Sequence, residues 1–257
     1  MDKLPLWLRN HILKYYICDL KPSDLIHLYA SGFSHILEGL SWQEWRQIYQ
    51  NDQKILSTKL FHNLALRNDG KIVAWDNGQC TNILTATKGT HYLSVSAGGY
   101  HSLALRNDGQ IVAWGADDHG QCSRIPALPE GIHYVVVSAG GTHNLAIRSD
   151  GQIVAWGNNC EGQCSQIQKL TDSAKGARYL SVSAGYYHSL ALNSDGQIVA
   201  WGNDDHGQCT NIPALPMGIR YISISVGVFH SLAIRSDGQI VAWGNNDYDQ
   251  CSHHRSF

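Results

Sequence analysis

A mainly β fold, made of about five copies of one strand meander behind a small helical unit, is what this sequence predicts. Three observations carry that reading. The stretch HSLALRNDGQIVAWGADDHGQC, from His101 to Cys122, recurs nearly unchanged along the 257 residues. The copies begin at His62, His101, His143, His188 and His230, which stand 39, 42, 45 and 42 residues apart. Thirteen residues after each histidine comes a tryptophan (Trp75, Trp114, Trp156, Trp201, Trp243), and then a Gln-Cys pair ending at Cys80, Cys122, Cys164, Cys209 or Cys251. A period of this length marks repeat architecture, in which one unit buries its faces only against its neighbours.

The elements of one copy follow from alternation and turn chemistry. In residues 221–251, YISIS alternates and is β-rich, so it predicts a strand ending at Gly227. FHSLAIR predicts a second strand, and Ser236-Asp237-Gly238 a tight hairpin turn with glycine free to take positive φ. QIVAWG is the third strand, leaving through Gly244 into a polar loop. The other copies read the same way, with their turns at Gly70, Gly109, Gly151 and Gly196. On the third strand Val and Trp share one face while Ile and Ala share the other. Large faces against small ones let successive sheets approach closely. Such a unit, repeated, implies a solenoid or a propeller, and propellers run from about four to eight blades.

Composition narrows the function classes. The net charge of −2 supplies no basic field for nucleic acid. No apolar run approaches the ~20 residues of a membrane helix. MDKLPLWLRNHILKYY lacks the apolar stretch and cleavage site of a signal peptide, and CSHHRSF carries no prenylation box. A cytoplasmic protein is expected, without membrane or nucleic-acid partners. Of the seven cysteines, five occupy one repeat-equivalent position, too far apart for bridges that need Cα atoms within about 7 Å. They are expected to be small buried hydrophobes. Cys160 and Cys164 form a single C-x3-C pair with no second pair to answer it, so no metal is expected.

Nothing in the chain carries catalytic chemistry. The repeated histidines suggest a ring of ligands or bases, yet each precedes an apolar strand, where imidazole is expected to satisfy buried backbone groups between sheets. No nucleophile elbow, P-loop or zinc-hydrolase motif is present, so no enzyme and no cofactor are expected. The Trp-Gly loops are more informative. They hold Asp117, Asp118, Glu161, Asp204, Asp205, Asp247 and Asp249, with no Lys or Arg between each Trp and its Gln. Acidic loops also keep a surface soluble. The sharper expectation is a docking face for a basic protein, formed by Asp117, Asp118, His119, Asp204, Asp205, His206, Asp247 and Tyr248.

The repeat GGYHSLALRNDGQIVAWGADDHGQ resembles that of the regulator of chromosome condensation, a β-propeller family, which writes G-x-x-H-[ST]-L-A-L, D-G, W-G and G-Q in this order. The likeness covers residues 54–257 and implies blades of a propeller that in this family usually has about seven. Five copies leave ring closure open. The first copy departs: STKLFHN replaces the glycine-containing approach, and WDNGQC is three residues shorter than its counterparts. Such a copy suits a terminal cap, or a strand that closes the ring with the C-terminus. The founding member acts on a small GTPase, Ran, through an inserted wedge. Here no insertion interrupts the repeats beyond a few residues near Thr171–Lys175. The linkers Ile125–Pro129 and Ile212–Pro216 also resemble those of a propeller that inhibits β-lactamase, which implies an enzyme inhibitor as a further alternative.

Residues 1–53 have another texture. Leu8, Ile12 and Leu13 show helical spacing, Ser23-Asp24 can cap a second helix, and Trp42, Trp45 and Ile48 suggest a third. The segment resembles an F-box in its Leu4-Pro5, Ile12-Leu13, Asp24-Leu25 and Trp45-Arg46-Gln47-Ile48. Extra residues after Leu13, and Gly32–His35 in place of the usual middle, depart from that pattern. The resemblance implies that Leu4, Pro5, Ile12, Leu13 and Leu25 contact the Skp1 adaptor of a ubiquitin ligase. In a bacterial chain it would imply an effector acting in a host cytoplasm. A helical cap on the propeller is the alternative. The expected function is a non-enzymatic adaptor whose propeller, 54–257, captures a protein partner. Regulation of a small GTPase is the alternative.

Overall fold

The computed structural model describes residues 56–59, 62–66, 70–76, 89–165, 167 and 178–252. The helices expected over 1–53, with Leu4, Pro5, Ile12, Leu13 and Leu25, lie outside them. Every regular element among the described residues is a strand, in five three-stranded antiparallel sheets that follow chain order. The first holds β1 (Leu56–Lys59), β2 (His62–Leu66) and β3 (Ile72–Asp76). The second holds β4 (Tyr92–Ala97), β5 (His101–Arg106) and β6 (Ile111–Gly115). The third is β7 (Tyr134–Ala139), β8 (His143–Arg148) and β9 (Ile153–Gly157), and the fourth β10 (Tyr179–Ala184), β11 (His188–Asn193) and β12 (Ile198–Gly202). The fifth is β13 (Tyr221–Val226), β14 (His230–Arg235) and β15 (Ile240–Gly244). One copy is therefore one blade, with the strands where alternation places them.

The Asp-Gly turns close as the sequence requires. At the second blade Gly109 takes φ 77°, Arg106 N–H donates to the Gln110 carbonyl over 2.9 Å, and the register Leu105↔Ile111 is fixed. A β-carbon on Gly109 would also lie 2.4 Å from the His133 β-carbon, so conformation and space both demand glycine. The inner strands carry a feature that alternation does not show. A register shift between Tyr134 and Val136, repeated in the second, fourth and fifth blades, breaks the pairing after the first residue. Such a bulge re-aims a side chain. Tyr134 is buried and donates its hydroxyl to the Pro126 carbonyl over 2.6 Å; Tyr221 does the same to Pro213. The I-P-A-L-P linkers thus pack against the core, with partly buried Ile125 and Leu128 beside Tyr134.

Between blades, large meets small as the strand pattern predicts. Leu103, Leu105, Ile111 and Ala113 of the second blade pack on Ala146, Val154 and Trp156 of the third. Leu145, Ile147, Ile153 and Ala155 meet Ala191 and Trp201 in the same way, and Leu190, Leu192, Ile198 and Ala200 meet Ala233, Val241 and Trp243. At the centre the inner strands of the first four blades are tied in succession through serines. Ser57 Oγ accepts the Ala97 N–H, Ser96 Oγ that of Ala139, and Ser138 Oγ that of Ala184, over 2.8–3.0 Å.

The two end blades differ. Leu103, Leu145 and Leu190 are fully buried, whereas their equivalent Leu232 is only partly buried. On the first blade Ala65 is partly buried and Val73 is 39% exposed. Among the described residues no blade covers either face. Leu145→Ala should therefore destabilise the fold by about 3 kcal/mol, within the range of cavity-forming core truncations, and Leu232→Ala by less than half of that. Urea unfolding of the two variants measures both, and equal losses would mean that the fifth face is covered.

Candidate functional site

The repeated histidines join blades. His101 Nε2 lies 2.6 Å from Asn144 Oδ1, His143 Nε2 3.0 Å from Ser189 Oγ and His188 Nε2 2.9 Å from Ser231 Oγ, always on the next blade. His62 reaches Ser102 Oγ over 2.7 Å. The receiving group passes its own hydrogen onward: Asn144 Nδ2 donates to the Gln121 carbonyl over 2.7 Å, and Ser231 Oγ to that of Gln208 over 3.1 Å. With its hydrogen so committed, the oxygen can only accept, which makes Nε2 the protonated ring nitrogen. The same carbonyls accept the next tryptophan: Trp156 Nε1–H to Gln121, Trp201 to Gln163 and Trp243 to Gln208, over 2.7–3.0 Å. The histidine's direct partner is thus a side chain, not the backbone group expected from sequence. The backbone carbonyl stands one step further along.

The loops after each Trp-Gly are built to one plan. Asp117 Oδ1 accepts the N–H groups of Cys122 and Ser123 over 2.7 and 3.0 Å, and Asp204 Oδ1 accepts those of Cys209 and Thr210. Asn159 and Asn246 do this in the third and fifth blades. The Ser123 hydroxyl first, then the Cys122 and Ser123 N–H groups, hold the Asp117 carboxyl below the usual range. Asp117 and Asp204 thus fold their loops. Asp118, Asp205, Asp247 and Glu161 stand exposed at the tips with His119 and His206, and Tyr248 is 89% exposed. Asparagines tie each loop to the one before. Asn158 Nδ2 lies 3.2 Å from His119 Nε2, Asn203 Nδ2 donates to Glu161 Oε2 over 3.2 Å, and Asn245 Nδ2 lies 3.2 Å from His206 Nδ1.

Beside these tips runs a row of aromatic rings that sequence reasoning missed. The Tyr186 hydroxyl donates to that of Tyr100 over 3.3 Å. Ring centroids then step 4.5 Å from Tyr186 to Tyr187, 5.4 Å from Tyr187 to Phe229, and 5.3 Å from Phe229 to His206 on the loop tip. Backbone pairing places both features at one end of the blades: Asn203 N–H donates to the Tyr187 carbonyl and Asn245 N–H to that of Phe229. The signal was present in GGYH, GYYH and GVFH, where the residue before the histidine is aromatic.

The repeat-equivalent cysteines serve their loops. Cys122, Cys164 and Cys209 are half-buried, each thiol donating to a loop carbonyl over 3.2–3.3 Å, and burial pushes each up to about 12. Among the described residues no group of three metal-binding side chains converges. At the opposite ends of the strands Arg106 pairs with Asp108 and Arg148 with Asp150, inside the turns.

The regulator of chromosome condensation (RCC1) repeat matches residues 93–121, 134–163, 180–208 and 221–250, the second to fifth copies. No curated protein matches the sequence. Among solved structures, yeast RCC1 (Prp20) in complex with Kap60 is 22% identical with TM-score 0.62, over 75% of this chain and 56% of that one. Prp20p of Saccharomyces cerevisiae, described with its binding properties to Gsp1p and histones, gives 21% identity and TM-score 0.60, over 75% of this chain and 57% of that one. Human WBSCR16 gives 18% identity and TM-score 0.62, over 75% and 62%. This chain spans less than two thirds of each, and at these identities the likeness is one of fold.

The buried histidines generate a pH prediction. Burial, with Lys59 and neighbouring histidines adding to it, holds His101, His143 and His188 down to about 4, 3 and 4. These values lie below the unfolded one near 6.5, so between them the unfolded chain binds more protons, and stability is lost as the pH is lowered. The loss should set in below about pH 6.5 with a slope approaching about 4 kcal/mol per pH unit for the three together. Urea unfolding across pH 7 to 5 measures it, and His143→Gln should flatten the slope by about a third.

Proposed function

We propose, for a chain whose repeats are RCC1 repeats folded as propeller blades, a non-enzymatic role in capturing a protein partner on the face of the Trp-Gly loops. One observation carries this reading: acidic tips and a continuous aromatic row share one end of the blades. Exposed aspartates attract a basic partner and steer its approach, while half-buried rings offer the rigid apolar area on which interfaces concentrate their energy. Asp118, Asp205, Asp247, His119, His206 and Tyr248 are the contact residues of this face. Asp117 and Asp204 support it through the loop.

The N-terminal segment completes the proposal. On its likeness to an F-box, Leu4, Pro5, Ile12, Leu13 and Leu25 would bind a Skp1-type adaptor and make the chain a ubiquitin-ligase adaptor. Regulation of a small GTPase is the second reading, supported by the fold shared with Prp20p and its binding of Gsp1p. Among the described residues no helix is long and apolar enough to cross a membrane.

Two experiments test this. Purified Skp1 should be retained by the full chain and lost with the double substitution Leu4→Ala, Pro5→Ala; failure of the unaltered chain to retain it removes the adaptor role. Charge reversal of Asp118, Asp205 and Asp247 to Lys should weaken binding of an Arg- and Lys-rich peptide by at least about tenfold at low salt while the unfolding midpoint stays put. Equal affinity would remove the acidic tips from the function. Faster nucleotide release from a Ran-type GTPase would favour the second reading.

A further inference from the structure

Lys59 stands where the other blades have glycine. Gly98, Gly140, Gly185 and Gly227 occupy its place, each donating its N–H to the carbonyl of its own blade's histidine over 2.7–2.9 Å. The side chain that the first blade adds here runs into the centre of the molecule. Its Nζ donates to the Ala139 carbonyl over 3.0 Å and to the Ala184 carbonyl over 2.6 Å, at the inner ends of the third and fourth blades. Two of its three N–H groups are thereby used.

The ammonium lies beside a central cavity of about 320 Å³, room for several waters. Ser57, Ser96, Ser138, Ser183 and Ser225, one equivalent residue from each blade, line it with Lys59. Three of these hydroxyls already accept a backbone N–H from the next blade, so what each has left to give is its O–H. The polar part of the lining is therefore a cation, a ring of serine hydroxyls and Tyr186, set among small apolar residues such as Ala97, Ala139 and Val226. Among the described residues no carboxylate pairs with Lys59. A partly buried ammonium with no counter-charge among the described residues is costly, and desolvation holds Lys59 down to about 8. An anion placed against the third N–H would relieve that cost.

We propose that the central cavity is a binding site for a small oxyanion, a phosphate or carboxylate group, held by Lys59 Nζ and the surrounding serine hydroxyls. The site adjoins the loop face at Tyr186, which lines the cavity and also belongs to the aromatic row, but its anion chemistry does not depend on the acidic tips. It is specific to the first copy, because glycine in the others contributes no charge. Departure from the repeat at this one position thus has a chemical consequence beyond a worn terminal copy.

Calorimetric titration of the full chain with inorganic phosphate, and separately with acetate, tests the site against chloride at matched ionic strength. Phosphate should bind the unaltered chain and raise its melting temperature by mass action. Lys59→Met keeps the stem and removes the charge, and should lower the affinity at least about tenfold, whereas Lys59→Arg should retain most of it. Ser183→Ala should weaken binding several-fold and serves in place of Lys59→Met if that variant does not fold. Binding of acetate alone would assign the site to carboxylates. No binding of either anion, or equal binding by Lys59→Met and Ser183→Ala, overturns the proposal.

Discussion

The hydrogen bond from a histidine of one blade to a serine or asparagine of the next is the interaction on which this molecule depends. Within a blade, backbone pairing is complete and needs no neighbour. Between blades the side-chain packing is apolar and non-directional, and the serine and glycine hydrogen bonds at the inner strands fix only one end of each sheet against the next. The His143–Ser189 and His101–Asn144 bonds, continued to a glutamine carbonyl and closed by the next tryptophan's N–H, set distance and angle together. Each carbonyl serves two donors, so loss of one partner leaves buried polar atoms without hydrogen bonds. A partly satisfied buried network costs more than an apolar replacement, and this coupling explains why His, Gln and Trp recur together.

The latch also decides where function can sit. It lies at the end of the blades where the third strand leaves through Trp-Gly, so the loop beyond starts from a rigid point. Gln121 contributes its backbone carbonyl to the latch and its side-chain oxygen to the His119 N–H, 2.8 Å away. Position 119 and its equivalents can therefore vary, as His119, Glu161, His206 and Tyr248 show, without loosening what holds them. The aromatic row springs from the other side of the same histidines. A docking face of fixed shape and variable chemistry results, the arrangement in which binding residues sit on loops held by a scaffold.

How much of this was legible depends on whether a property is local. Strands, Asp-Gly turns and the match of Leu103 with Ala146 follow from alternation, which one copy carries in full. The bulge that turns Tyr134 inward, and the packing of Ile125 and Leu128 from the I-P-A-L-P linker against it, depend on the neighbouring sheet and leave no mark in alternation. Asp117 and Asp204 looked like surface charge because composition counts carboxylates without regard to their partners. Asn159 in the equivalent position was the available clue: a residue interchangeable with asparagine acts through its oxygen, not its charge. The row from Tyr100 to Phe229 escaped because its members come from different blades, and only folding brings them together. Lys59 was visible as an oddity, yet its reach to Ala139 and Ala184 requires the convergence of the inner strands.

Repetition has a further consequence at its two ends. The fifth copy keeps His230, Leu232 and Ile234, the residues with which every earlier copy grips its successor, although among the described residues no sixth sheet receives them. His230 is only half-buried, and its ring is held less far below the ordinary value than those of His143 and His188. At the other end the first copy offers Asn63, which is equivalent to Asn144, beside a partly exposed Ala65. Trp114 Nε1, equivalent to the tryptophan donors of the later blades, is buried without an acceptor among the described residues. Stability per blade is therefore uneven. Inner blades draw on two interfaces and two latches, terminal ones on a single set, and local opening should begin at the ends, as it does in arrays held by nearest-neighbour contacts. The loop tips of the middle blades, which carry the candidate contacts from Asp118 to His206, lie on the part of the molecule that opens last.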